Sequence, residues 1–359
     1  MRFIRPKMLM AASAFALVAA ACGGATPEGE GGGGGGGGAE GDAPQIGVAL
    51  DIGGLGDKSF NDAADRGLQQ AIEDGLVPEE NAELLESNAT GSNRDENVVN
   101  LADQGFDLIW ANGFAFSEGI AEIAPDYPDV NFAIQDGFAT TIATDADNIV
   151  DINFKAHEGS FLVGAAAGLV TETKTVGFLG GQEGIGLIEN FQAGWDAGVQ
   201  ATCPDCELLT EYIGDSTAAF VDPTRGEALS AAMYDDGADV IYHAAGQSGL
   251  GLFKAAVAAD ALAIGVDSDQ YLTASPEEQE HILTSMLKRV DVAIYDTIEA
   301  VTNDAFEPGS QIFGLAEDGV GYATSNPELL TEEIQAQLEE FKQQIIDGEI
   351  TVPEQPEGG

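Results

Sequence analysis

The stretch "DIGGLGDKSFND", Asp51 to Asp62, follows the apolar run "IGVAL" and leads into a helical pattern. Strand, glycine turn, Lys-Ser and helix is the layout of a phosphate-binding loop, whose pattern is Gly, four residues and then Gly-Lys-Ser/Thr. Lys58-Ser59 is present, but Asp57 stands where the last glycine belongs. A carboxylate there would face phosphate oxygens at close range, and Asp51 places a second one just before the loop, which disfavours a phosphate ligand. The loop suits a neutral group that donates hydrogen bonds. Phe60 and Asn61 add a flat apolar face and an amide, a combination that fits a heterocycle without its phosphates.

Other reactive residue types are sparse. The three histidines, His157, His243 and His281, are scattered, and none stands next to a serine or cysteine in a nucleophile motif. The glycine loop lacks dinucleotide spacing as well as the phosphate-loop spacing, so neither an enzyme nor a cofactor is expected, and no metal site. Cys203 and Cys206 form the one Cys-x-x-Cys, "CPDC". Such a pair can be a redox motif or half of a zinc site, but no second thiol pair or histidine pair accompanies it. In an exported chain the expectation is a local structural disulfide.

The elements that must position these residues alternate along the chain. "IGVALDI", "AELLES", "FDLIWA", "NFAIQD" and "NIVDINF" alternate with helical patterns, and the alternation resumes with "TVGFLG", "ELLTEYI", "DVIYHAA" and "LAIGVD". Strands that are apolar throughout imply parallel sheets covered on both faces, so the body reads as a doubly wound α/β fold twice over. The expected division is residues 45–153 plus 284–305 for an N-terminal lobe and 154–283 plus 306–352 for a C-terminal lobe. Several short crossings between lobes make a hinge, and ligands of such sheets sit at the carboxyl ends of the strands. Asp51, Asn112-Gly113, Gln135-Asp136, Gly180-Gly181, Tyr242 to Gly246 and Asp267 all fall at such ends.

The N-terminus indicates where the chain works. A basic head, "MRFIRPK", precedes an apolar run too short to span a bilayer comfortably, and Cys22 follows three alanines. Residues 1–21 read as a signal peptide and Cys22 as a lipidated cysteine. Residues 22–44 read as a flexible glycine-rich tether. The chain has 13 basic and 62 acidic residues; loss of Arg2, Arg5 and Lys7 with the signal leaves 10 basic residues and a net charge of −52. Nucleic acid and anionic lipid surfaces are disfavoured as partners, and a heavily hydrated surface suited to high salt is the expected reason for the charge. The expected location is the extracytoplasmic face of the cell membrane, held by the lipid alone.

"DIGGLGDKSFNDAADRGL", "FLGGQEGIGLIENFQAGWDAGV", "MYDDGADVIYHAAGQSGLGLFKAA", "IGVDSDQ" and "TSMLKRVDVAIYD" resemble, in order and over essentially the whole body, the basic membrane protein family of ABC-transporter substrate-binding lipoproteins, which includes purine nucleoside receptors. The resemblance implies a type I periplasmic-binding fold and capture of a nucleoside, with a purine favoured, for a membrane permease and ATPase; a monomer is expected. It further implies that Asp51 accepts hydrogen bonds from the base, Phe60 stacks on one face with Asn61 at the edge, and Tyr242 covers the other face. Asp267 takes two sugar hydroxyls and Lys288 donates to the sugar. The family's Thr-Asp after the third strand falls on Ser117-Glu118, with Glu118 one methylene longer, and its "AGG" becomes Ala245, Gly246 and Gln247. The alternative is a binding module for another small polar ligand, such as a sugar or a signalling molecule.

Overall fold

The computed structural model describes residues 43–356. The expected signal peptide, Cys22 and most of the tether lie outside the described residues. The first half of the body supplies β1 (Ile46–Leu50), β2 (Ala82–Glu86), β3 (Leu108–Asn112), β4 (Asn131–Gln135) and β5 (Ile149–Phe154), with helices α1 (Phe60–Glu73), α2 (Arg94–Gln104), α3 (Ser117–Ile123) and α4 (Ala139–Ile142) between them. After α5 (Ala156–Val170) the pattern repeats with β6 (Thr175–Gln182), β7 (Glu207–Gly214), β8 (Val240–Ala244), β9 (Leu262–Asp267) and β10 (Ile282–Lys288), separated by α6 (Gly186–Thr202), α7 (Pro223–Asp235), α8 (Leu250–Ala259) and α9 (Pro276–Gln279). The chain then runs through α10 (Val290–Thr302), β11 (Gly309–Phe313), β12 (Val320–Tyr322) and α11 (Glu332–Ile346).

Two six-stranded sheets result, in the orders β11-β5-β4-β3-β1-β2 and β12-β10-β9-β8-β6-β7. Every pairing is parallel except β10 with β12. Strands β1, β3 and β8 are buried at every residue, as parallel strands covered on both faces require. The helices close both faces, and α5 lies against α6 so tightly that a methyl group on Gly194 or Gly198 would overlap the carbonyls of His157 and Phe161. That approach explains why α5, apolar nearly all round, is buried along most of its length.

The expected lobe boundary needs two corrections. Strand β10 pairs in parallel with β9, Met286 opposite Val266, so residues 284–288 belong to the second sheet and not to the first. Strand β11 pairs with β5, Gln311 opposite Ile152, so it belongs to the first sheet although 306–352 was expected in the second lobe. The pairings that decide these assignments connect residues far apart in sequence, and periodicity carries no record of them. The chain therefore crosses between sheets at 154–156, at 288–290 and between β11 and β12.

Cys203 and Cys206 are joined by a disulfide that closes the turn between α6 and β7. Its position after the carboxyl end of α6 is opposite to the helix amino terminus that lowers a thiol's pKa, which agrees with a structural role. No described helix is long and apolar enough to cross a membrane.

Candidate functional site

The loop after β1 is assembled around two carboxylates. Asp57 Oδ1 accepts the Ser59 and Asp62 N–H groups at 2.9 and 3.1 Å, and its Oδ2 accepts the Asn61 N–H at 2.8 Å. Asp62 accepts the N–H groups of Gly56 and Lys58 at 2.7 and 2.9 Å. Five backbone donors of the loop and the first turn of α1, of the kind that in a phosphate loop would meet an anionic ligand, are thus filled by the chain's own anions. Burial pushes the Asp57 carboxyl up to about 6, against the three N–H groups that pull it down. Lys58, the lysine of the apparent motif, is turned aside and donates to the Thr273 carbonyl at 2.9 Å. The opening resemblance to a phosphate loop is therefore one of layout only.

Asp51, Phe60, Asn61, Gly246, Asp267 and Lys288 all line one cavity between the lobes, as their positions at or near strand ends suggest. The cavity volume is about 90 Å³. Three contacts close it from the side of α1: Lys58 to Thr273, Ser59 Oγ to Asp267 Oδ2 at 2.6 Å, and Arg66 Nη2 to Ser268 Oγ at 2.7 Å. Asn61 is largely committed within the protein. Its Oδ1 accepts from the Asp51 N–H and from Asn112 Nδ2, and its Nδ2 donates to the Ile52 carbonyl.

Lys288 is 2 % exposed. Its Nζ lies 2.5 Å from Asp136 Oδ2 and 5.2, 5.4 and 5.7 Å from the ring centres of Phe60, Phe154 and Phe191. Lysine comes from the second sheet and Asp136 from the first, so the pair spans the cleft. Asp136 is the one cavity-lining carboxylate with an oxygen, Oδ1, that is buried without any partner among the described residues. Asp267 sits in the left-handed region with φ 63°, which turns its carboxylate out of β9 towards the cleft. Burial raises its pKa, and Lys288 and the Ser59 hydroxyl hold it back.

Two expected residues are not in this site. Tyr242 is fully buried under it, its ring 5.4 Å from Trp195 and 5.7 Å from Phe178, with its hydroxyl 3.1 Å from Ser160 Oγ. It lies in the middle of β8 on the face towards α5 and α6, and only Ala244, two residues on along the same face, reaches the cavity. Glu118 is exposed on α3 and absent from the lining; its neighbour Ser117 instead accepts the Phe138 N–H. The carboxylate that lines the cleft from this side of the sheet is Asp136. The aromatic faces missed by the sequence reading are Phe191 on α6 and Phe220 in the loop after β7, with Phe114 at the rim. Asp136 carried a signal, its place at a strand end. Phe191 carried none, because at its helical spacing it is indistinguishable from a core residue.

Phe60 opens α1 with one side against the Lys288 ammonium and one side on the cavity. Phe60→Ala is expected to weaken ligand binding by roughly 1–3 kcal/mol while the melting temperature of the unliganded protein changes little. Unfolding many degrees earlier without ligand would instead make Phe60 a core residue.

Residues 45–356 match the family model Bmp, described as ABC transporter substrate-binding protein PnrA-like. The CD4+ T-cell-stimulating antigen of Listeria monocytogenes is 34 % identical over 326 residues, covering 87 % of this chain and 88 % of that protein. A Lactococcus lactis protein named ABC transporter nucleoside-binding protein BmpA is 30 % identical over 321 residues, covering 85 % and 88 %. Among solved structures, an ABC transporter solute-binding protein from Aeropyrum pernix K1 superposes with a TM-score of 0.71 at 28 % identity, covering 86 % of this chain and 94 % of that one.

Proposed function

Because the chain belongs to the Bmp family of PnrA-like ABC transporter substrate-binding proteins, we propose that its cleft captures a neutral nucleoside, with a purine base favoured, and delivers it to a membrane permease and its ATPase. The fold is the two-lobed type I periplasmic-binding fold and the protein is a binding protein, not an enzyme.

The observation that carries the ligand class is the mixture of groups that the two lobes bring to one cavity. Phenylalanine faces at 60, 191 and 220 alternate with acceptors at Asp51, Asp136 and Asp267 and with one ammonium, Lys288, that has a single hydrogen-bond partner among the described residues. Flat rings offer area to a base, and carboxylates with a lysine suit vicinal hydroxyls. The nucleoside-binding name of the Lactococcus relative supports the same reading. Cys22 as a lipid anchor, a monomeric state and a hydrated acidic surface complete the proposal; intact mass of membrane-extracted protein reports the anchor directly.

Calorimetric titration with adenosine, guanosine, inosine, cytidine and free ribose tests the ligand. Saturable binding of one or more purine nucleosides, much tighter than that of ribose, is expected. Ribose binding without nucleoside binding would overturn the reading in favour of a sugar receptor.

A further inference from the structure

Asp51 has an unusual neighbour. Arg94, at the first position of α2, sends its Nε to Asp51 Oδ1 at 2.7 Å, and its Nη2 lies 2.5 Å from the same oxygen. The Ile52 N–H adds a third contact to Oδ1 at 2.6 Å. Nothing among the described residues donates to Oδ2, which lies beside Gly113, and both Asp51 and Gly113 line the cavity. Gly113 leaves the room: a Cβ there would stand 2.9 Å from Oδ2. The guanidinium is itself fixed, with Nη1 on the Gly91 carbonyl and its carbon 5.9 Å above the Phe116 ring.

We propose that Arg94 is a positioning residue that decides the hydrogen-bonding sense of the base end of the cleft. It holds Asp51 as a carboxylate with Oδ1 occupied and Oδ2 free, so the cleft reads the base through one of its N–H donors. This rests on the nucleoside reading above and adds that the base end of the cleft selects a hydrogen-bond donor.

The chemistry follows from burial. Asp51 is largely removed from water, which raises its pKa, while the Arg94 charge, the Ile52 N–H and the Arg94 hydrogen bond pull it down. Other ionisable groups stand around it. Asp57 caps α1, Glu86 at the end of β2 lies against Gly54, and Asp95 of α2 points to Gly119 of α3. The second lobe meets this loop with Val221 against Gly53 and with Asp267, whose Oδ2 accepts from the Ser59 hydroxyl. Among the described residues Arg94 is the one cation in contact with Asp51, and its charge is the main opponent of the burial that raises the Asp51 pKa; the next cation lining the cavity, Lys288, is paired with Asp136. Without Arg94 the desolvated group gains its proton at a higher pH and offers an O–H donor instead of an acceptor, the reverse of what an amino or ring N–H group needs.

The test compares the parent with Arg94→Gln and Arg94→Lys in two measurements. In unliganded protein, the Asp51 carboxyl carbon, assigned by its loss in Asp51→Asn, is followed by NMR against pH. Its midpoint is expected to rise clearly in Arg94→Gln and to return towards the parent in Arg94→Lys. Purine nucleoside affinity is then measured against pH, with adenosine and guanosine as probes. The parent is expected to show a flat profile near neutrality. In Arg94→Gln affinity is expected to climb with pH at a slope approaching tenfold per unit, because one proton must leave before the base donor can bind, and Arg94→Lys is expected to restore the flat profile. An unchanged midpoint, or an affinity loss equal at every pH, overturns the proposal. A shifted midpoint in a protein that binds no nucleoside would sink the ligand reading and leave the control of Asp51 by Arg94 standing.

Discussion

Replacing Lys288 with methionine is expected to cost the protein about 3–5 kcal/mol of stability, the largest single effect in the cleft. Methionine keeps much of the length and the apolar contact with Phe60, Phe154 and Phe191, so the substitution removes chiefly the charge. What remains is Asp136, 7 % exposed, with one oxygen already lacking a partner and the other newly stripped of its cation. An uncompensated carboxylate in that position is costly in a way that the intact pair is not. The double variant Lys288→Met with Asp136→Asn is therefore expected to recover most of the loss, since asparagine tolerates the left-handed backbone at φ 55° and carries no charge. Urea unfolding of the single and double variants decides the matter. A single variant within about 1 kcal/mol of the parent would mean that Asp136 finds water or another partner, and the cross-lobe pair would lose its importance.

The same residues show what a sequence can and cannot reveal. Lys288 stood out because residues 22–359 hold ten basic residues and this one ends an apolar strand, where a cation has no bland reason to be. Asp51 and Asp267 were reachable by one rule, that ligands gather at the carboxyl ends of parallel strands, and both line the cavity. The rule fails at one residue's resolution. Tyr242 and Ala244 are both in β8 and on the same face, yet only the second clears the sheet. Glu118 came from the family's Thr-Asp pair, and nothing local distinguishes a carboxylate on the solvent side of α3 from one that, like Asp136, turns into the cleft through a left-handed backbone. The exchange of β10 and β11 between lobes was invisible because pairing energies belong to partners distant in the chain. Arg94 was invisible too, since its importance comes from an acid 43 residues away.

The cleft is expected to bind a nucleoside at least about a hundredfold more tightly than the corresponding 5′-monophosphate near neutral pH. Four carboxylates line it, Asp51, Asp57, Asp136 and Asp267, against the single lining cation Lys288, which is already paired. At an effective dielectric of about 20, two like charges about 6 Å apart repel by roughly 3 kcal/mol, and a phosphate brings nearly two charges into a space with several such neighbours. The usual compensation is closed off. The backbone N–H groups at the start of α1 that could receive a phosphate are held by Asp57 and Asp62, and Lys58 is spent on the Thr273 carbonyl across the cleft. Acid should narrow the gap. Asp57 has its carboxyl raised to about 6 by burial, so it becomes neutral as the pH falls through that value, and a phosphate monoester gains its second proton near about 6 as well. Competition titrations of guanosine and its monophosphate from about pH 7.5 down to about pH 5 read both effects together. Equal or tighter binding of the monophosphate at neutral pH would mean that the anion is received outside the carboxylate-lined cavity, and the nucleoside reading of the glycine loop would fail with it.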